Sequence, residues 1–275
     1  MIVQSEREPM STADLTNFME AGFFVLPGFL SETQRTELKA ETDRYMAAWG
    51  DETNHQKRPC AMDYEACTRL TTEPLLMASL DRLMGGPFAL HHHHIARHTA
   101  GDGGVNWHQD YEQVPQTNRS HIMLHVFFYL DGLNGTVGDL LLIPGSHKTV
   151  VERGAIGQVF GHADLPGMRV IDDVAPGTAV IMHSAIWHAR RPKPGGQNRP
   201  RYFIDISYCQ AGTIWPSDNI WMTEPPKAVE RGWVTPGREG LMDRGMFVDW
   251  ATMLRNLEGR TGSLSLQLQT VGHQR

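Results

Sequence analysis

The hydrophobic rhythm of the chain changes near residue 88. Before that point apolar residues recur at helical spacing. Ser11-x-x-Asp14 forms a capping box ahead of Leu15, Phe18 and Met19, and the helix it opens is expected to stop at Gly22. FFVLPGFL reads as a short buried strand broken at Pro27-Gly28, and Ser31-x-x-Gln34 opens a second helix running toward Trp49 with Leu38 and Tyr45 on one face. Residues 50 to 68 are polar and read as irregular. Thr72 is expected to cap a third helix through Leu76, Leu80 and Leu83, ended by Gly85-Gly86.

Beyond residue 88 short β runs alternate with turns. Strands are expected at 89–98, 121–131, 138–143, 169–173, 178–183 and 201–210, with GTVGD, PGSH and PGGQNRP as turn signals. Many short strands with Gly/Pro turns predict a mainly β fold with flanking helices, a cupin-like jelly roll. A chain of 275 residues fits one domain. Residues 1–87 would form a helical region packing on the barrel, 88–211 the jelly-roll core, and 212–275 a C-terminal extension. That extension carries Trp215, Trp221, Trp233 and Trp250, and is expected to wrap the barrel. It is also a candidate lid or homodimer contact.

Composition narrows the classes of partner. A formal net charge of -6 gives no basic footprint for nucleic acid and no polybasic membrane patch. No apolar run approaches a bilayer span, and the N-terminal MIVQSEREPM has no signal-peptide character. The 3 cysteines, Cys60, Cys67 and Cys209, lack CxxC spacing, so a reduced cytoplasmic setting is the expectation.

Chemistry enters at NWHQD, where His108 and Asp110 stand two positions apart. Residues i and i+2 of a strand share a face, so the pair can present a nitrogen and an oxygen side by side. A third ligand from a distant strand would complete a two-His-one-carboxylate face, which suits non-haem Fe(II) oxygenases. HSAIWH offers His183 and His188 after the strand TAVIM; His188, at the edge of a polar turn, is the better placed. The second H-x-D, His162 with Asp164, lies in GHADLPG without a strand before it and reads as a surface loop. RPRYFIDISY then supplies a guanidinium on a strand, a natural bidentate partner for a carboxylate; Arg201 starts the strand, and Arg199 precedes the proline. The run His91 to His94 reads as a strand with two histidines on each face. Trp107, Tyr111, His125, Tyr129, Trp187 and Phe203 are pocket candidates by position, of which Trp107, Tyr111 and Phe203 are carried forward as substrate contacts. His147 in PGSHK is expected at the surface.

Taken in order, GFFVLPGFL, WHQDY, LLLIPGSHK, HSAIWH and RPRYFIDISY resemble the phytanoyl-CoA dioxygenase family over roughly residues 14 to 210. The resemblance implies a double-stranded β-helix and an enzyme using Fe(II), 2-oxoglutarate and O2, with succinate and CO2 as products. It implies His108, Asp110 and His188 as iron ligands and Arg201 on the 2-oxoglutarate carboxylate. Arg201 follows His188 by 13 residues, somewhat more than the family's usual gap, so Arg199 remains an alternative. Where the family carries a lysine before the H-x-D, this chain reads HHHHIARHTAGDGG, and His93 is the candidate there for contact with 2-oxoglutarate. The substrate class implied is a small molecule, a metabolite or natural-product intermediate. Two rivals share the fold: a cupin-like metalloenzyme without 2-oxoglutarate, and a non-catalytic binding protein.

Overall fold

In the computed structural model, residues 10–50, 57–99, 101, 103–113, 119–151, 155–192 and 199–258 are described, the side chains as far as residue 255. Four helices, α1 (Thr12–Ala21), α2 (Glu32–Trp49), α3 (Glu65–Leu70) and α4 (Pro74–Met84), precede the barrel, with strand β1 (Phe23–Leu26) between the first two. The barrel segment contains β2 (Phe88–His98), β3 (Val105–His108), β4 (Met123–Tyr129), β5 (Leu133–Asn134), β6 (Leu140–Leu142), α5 (Ala155–Phe160), β7 (Arg169–Ile171), β8 (Asp173–Val174), β9 (Thr178–His183), β10 (His188–Arg190) and β11 (Arg201–Gln210). The tail adds β12 (Trp215–Ser217), α6 (Asn219–Thr223), α7 (Pro225–Glu230), β13 (Phe247–Asp249) and α8 (Trp250–Glu258).

Local chemistry sets the first helices. Ser11 and Asp14 form a reciprocal capping box on α1, and Gly22 ends it at φ +85°, a conformation that favours glycine. Ser31 and Gln34 repeat the box on α2. Two expectations shift. The cap of α4 is Glu73, whose carboxylate accepts from the Leu76 N–H at 2.7 Å, with Pro74 at the first helical position. Thr72 instead accepts from the Thr235 N–H at 3.0 Å and so ties the helices to the tail. Helix α3 forms inside the stretch expected to be irregular, because the buried Glu41 of α2 accepts from the Cys67 N–H at 2.9 Å. That tertiary bond has no local signature.

Two antiparallel sheets face each other: a five-stranded one ordered β1-β9-β4-β11-β2, and a four-stranded one ordered β3-β10-β6-β7. Period-2 alternation divides their residues. Phe127 and Tyr129 of β4, Val180 and Met182 of β9 and Phe203 of β11 meet Leu140 and Leu142 of β6 in the core between the sheets. Leu124, Val126, Phe128, Ile204, Ile206 and Tyr208 point the other way, into the core shared with the helices. This is a jelly roll, a double-stranded β-helix with helices packed on its larger sheet. Trp215 and Trp221 of the tail are buried in the molecule's own cores. The turn signal at 194–198 and the tail beyond 258 lie outside the described residues.

The histidine run departs from simple alternation. His94 lies opposite Asp205, His93 opposite Ile206 and His92 opposite Ser207, but Tyr208 faces Leu90. The slip is a β-bulge at His91-His92, which turns both rings to the same side. His91, His92 and His94 therefore face the barrel interior and His93 faces the helices, three and one rather than two and two. His147, expected at the surface, is half-buried against Gly22, where any added Cβ would collide with its ring.

Candidate metal centre

Strands β3 and β10 lie side by side with His188 directly opposite His108. β3 ends at His108, so Asp110 stands two residues beyond it, on a loop pinned by its N–H donating to the Ser184 carbonyl at 2.7 Å. Asp110 Oδ1 lies 3.6 Å from His108 Nε2, and Oδ2 lies 3.2 Å from His188 Nε2. One donor atom from each residue falls within 4.8 Å of the others.

Backbone carbonyls fix which nitrogen of each ring faces the carboxylate. His108 Nδ1 donates to the Asn106 carbonyl at 2.7 Å, and His188 Nδ1 to the Ile186 carbonyl at 3.2 Å. A carbonyl only accepts, so Nδ1 carries a proton in both rings and Nε2 is the nitrogen left to meet a metal. Burial alone would raise the Asp110 carboxyl, but positive charge on the His108 and His188 rings and a hydrogen bond from His188 outweigh it and hold it well below the usual carboxylate range, and a bound metal would take the place of that charge. The donor set of two imidazole Nε2 atoms and one carboxylate fits one triangular face of an Fe(II) octahedron. The side chains of His108 and Asp110 remain 29% and 23% exposed against 6% for His188, so the face is open on one side.

Arg201 faces the same interior from the opposite, five-stranded sheet. Its side chain is buried, with the guanidinium carbon 4.5 Å from the Phe203 ring centre and 5.1 Å from that of Tyr129. Contact continues from Phe203 to Phe127 at 5.1 Å and from Phe127 to His188 at 6.0 Å, so an aromatic path links the arginine to the metal group. His98, across the strand pair, places Nδ1 3.0 Å from Arg201 Nη1. Gly138, at φ +119°, leaves room for the arginine stem, where a Cβ would stand 3.1 Å from Arg201 Cδ.

Several candidates lie elsewhere. Trp107 alternates with His108 and therefore points out of the barrel, packed in a cluster with Trp187 and Leu141 and donating from Nε1 to the Ala163 carbonyl at 2.7 Å. Trp187 shares that outer cluster. Tyr111 is fully buried beside Trp215 and Phe247, with its hydroxyl at hydrogen-bond distance from both the Gln113 side chain and the His121 carbonyl. It is a core residue rather than a pocket wall. His93 faces the helices, and burial pushes it down to about 3. Arg199 donates from Nη2 to the Asp131 carbonyl at 2.7 Å in an exposed contact. His183 accepts from the Ala185 N–H at 3.0 Å and stacks on Tyr111, outside the metal group. The second H-x-D, His162 with Asp164, occupies a surface turn, where Asp164 meets Arg191 at 3.1 Å.

A second polar group on the interior wall was not foreseen as a unit. His125 of β4 donates from Nδ1 to Asp205 Oδ1 at 2.9 Å, and His92 Nε2 lies 3.6 Å from Asp205 Oδ2. All three are buried. The signal available was the alternation of RYFIDISY, which puts an aspartate on the inward face, but its partners come from two other strands.

Fold and site together define a jelly-roll protein with a His-Asp-His metal group. The chain belongs to the phytanoyl-CoA dioxygenase family, whose sequence model matches residues 18–200. Among curated proteins it is 27% identical over 158 residues to the ectoine dioxygenase of Halomonas elongata, a match covering 52% of this chain and 48% of that protein. The chain thus spans about half the length of that relative. Among solved structures it is similar to SnoK, a non-haem α-ketoglutarate-dependent carbocyclase of nogalamycin biosynthesis, with a TM-score of 0.60 and 18% identity over 76% of this chain and 89% of the other. HygX of Streptomyces hygroscopicus, solved with nickel and 2-oxoglutarate, superposes with a TM-score of 0.60 and 16% identity over 76% and 91% of the two chains. At these identities the likeness speaks for the fold.

Proposed function

We propose that this protein is an Fe(II)/2-oxoglutarate-dependent dioxygenase that hydroxylates or otherwise oxidises a small-molecule metabolite or natural-product intermediate. The observation that carries the reading is one barrel interior in which a His-Asp-His face on the smaller sheet looks across at a buried arginine on the larger sheet. His108, Asp110 and His188 hold the iron. Arg201 takes the far carboxylate of 2-oxoglutarate; Arg199, tied to a surface carbonyl, does not. When bound, iron and 2-oxoglutarate together activate O2, with succinate and CO2 released.

The chain's own part is positioning. The Asn106 and Ile186 carbonyls hold both imidazoles with Nε2 left to meet the metal. Phe127, Tyr129 and Phe203 surround the arginine with apolar surface, which strengthens its pairing with a carboxylate by keeping water away. Asp110 supplies a negative ligand without first losing a proton at neutral pH. A cytoplasmic setting fits three buried cysteines that form no disulfide. In the described residues no helix is long and apolar enough to cross a membrane.

The test is O2-dependent conversion of 2-oxoglutarate to succinate by protein reconstituted with Fe(II). The expected result is slow turnover in the wild type, stimulated by substrate and lost in H188A and D110A. Turnover unchanged in both variants would place the iron elsewhere, and no turnover under any loading would favour a metalloenzyme that does not use 2-oxoglutarate.

A further inference from the structure

A chain of polar contacts crosses the barrel interior and stops at one atom. It begins at the Pro216 carbonyl, which accepts from His91 Nε2 at 2.8 Å, with Glu112 Oε2 3.2 Å from the same nitrogen. His91 Nδ1 lies 2.8 Å from His92 Nδ1, which is also 2.9 Å from Ser207 Oγ. His92 Nε2 faces Asp205 Oδ2, and Asp205 Oδ1 accepts from His125 Nδ1. The last atom is His125 Nε2. It is buried on a side chain 1% exposed and meets no hydrogen-bonding partner among the described residues.

Such an atom is costly unless something pairs with it, roughly 1–3 kcal/mol for a buried polar group left alone. Its position suits a ligand. His125 is on the inner face of β4, two residues from Phe127, whose ring touches His188. Asp205, which holds the ring, shares the inner face of β11 with Arg201 but lies four residues further on, about 14 Å along the strand. The wall between is aromatic, while the His125 end is polar, so the interior offers one carboxylate site and one separate polar site.

The charges facing His125 favour a donor at Nε2. Burial would lower its basicity, but Asp205 outweighs burial and raises it, with Asp110 and Glu112 adding in the same direction. His92 beside it is pushed down to about 4 by burial and stays neutral. His183, pushed down to about 3, is neutral as well.

We propose that His125 Nε2 is the substrate anchor: it donates a hydrogen bond to an oxygen of the substrate, a carboxylate or hydroxyl, and so sets which C–H faces the metal. Asp205 and His92 are positioning residues that orient the ring. The inference rests on the proposed oxygenase reading for the metal's role, and names the chemistry of the substrate group opposite 2-oxoglutarate.

Three probes of one shape test it: cyclohexanecarboxylate, cyclohexanemethanol and methylcyclohexane. Each is titrated into full-length protein labelled with 15N-histidine and loaded with 2-oxoglutarate and Zn(II), a diamagnetic stand-in for iron. The expected result is a shift of the His125 Nε2 resonance with one or both oxygenated probes and none with the hydrocarbon. Comparing the first two probes tells a carboxylate from a hydroxyl. H125L should bind the oxygenated probe about 10- to 100-fold more weakly, the range for a charge-assisted hydrogen bond. H125Q, whose amide nitrogen can stand near Nε2, should recover most of that loss, which a packing role would not produce. D205N keeps the ring but frees it, and should fall between them. The proposal is overturned if the wild type holds methylcyclohexane as tightly as the oxygenated probes, or if H125L and the wild type bind them alike. Binding of 2-oxoglutarate, followed separately by its own resonances, reports on the oxygenase reading, so either can fail alone.

Discussion

At the scale of single residues, the site depends on atoms whose partners are already assigned. Both ligand imidazoles spend Nδ1 on a backbone carbonyl, leaving Nε2 for the metal. Losing a ligand should therefore exceed the loss from an outer partner, about 10- to 100-fold in metal affinity. D110A and H188A are each expected to bind Fe(II) more than about 100-fold more weakly by competition with a chelator; affinity within a few-fold of wild type would remove them from the coordination sphere. Arg201 makes a second residue-level prediction. Its planar fork matches a carboxylate in a way a lysine does not, so R201K should raise KM for 2-oxoglutarate by about 10-fold or more with folding intact. Gly138→Ala should do the same with the arginine itself unchanged, because the new methyl would crowd Arg201 Cδ and the residue holds φ +119°. Unchanged KM for 2-oxoglutarate in both variants would mean the clamp is elsewhere.

At the scale of elements, alternation along β3 decides two roles at once. His108 faces the interior and Trp107 the outer cluster, so W107F should leave KM for 2-oxoglutarate and substrate unchanged while lowering stability by about 1 kcal/mol through the lost Ala163 bond. A selective rise in substrate KM would return Trp107 to the pocket. The same element shows what the sequence could and could not reveal. The capping boxes of α1 and α2 and the long strands β2, β4, β9 and β11 are local patterns, legible from residue spacing. β10, three residues long, is recognisable only through the histidine it carries, since its pairing with β3 and β6 is tertiary. The H-x-D lies where β3 ends and the distal histidine where β10 begins, positions that turn signals in the sequence mark. The β2 bulge was not: alternation predicts two histidines per face, and only the partner register shows three turned inward. His98 and the His92–His125–Asp205 group are assembled across strands far apart in sequence, so no local spacing announces them.

At the scale of the whole molecule, the interior combines apolar walls with a buried ion pair. His125, raised from 6.5, contributes stability that is fully present below that value and lost as pH rises through its folded pKa. Asp205, lowered from 3.8, contributes stability present above that value and lost as pH falls through its folded pKa. Together they predict a plateau between 3.8 and 6.5 in the stability difference between wild type and D205N, shrinking on either side. Thermal melts of both proteins across pH measure that difference. A difference independent of pH would mean the pair is not ionised in the folded state.

The central claim is that the interior of the jelly roll binds iron through His108, Asp110 and His188 on one side and binds 2-oxoglutarate on that iron with Arg201 of the facing sheet as anchor. The most direct measurement is an anaerobic titration of Fe(II)-loaded protein with 2-oxoglutarate, followed by visible absorption. Chelation of the 2-oxo acid at the metal predicts a weak charge-transfer band that saturates at one equivalent, appears at higher concentration in R201K and is missing in D110A. Iron that binds tightly to the wild type yet gives no band at saturating 2-oxoglutarate would contradict the account.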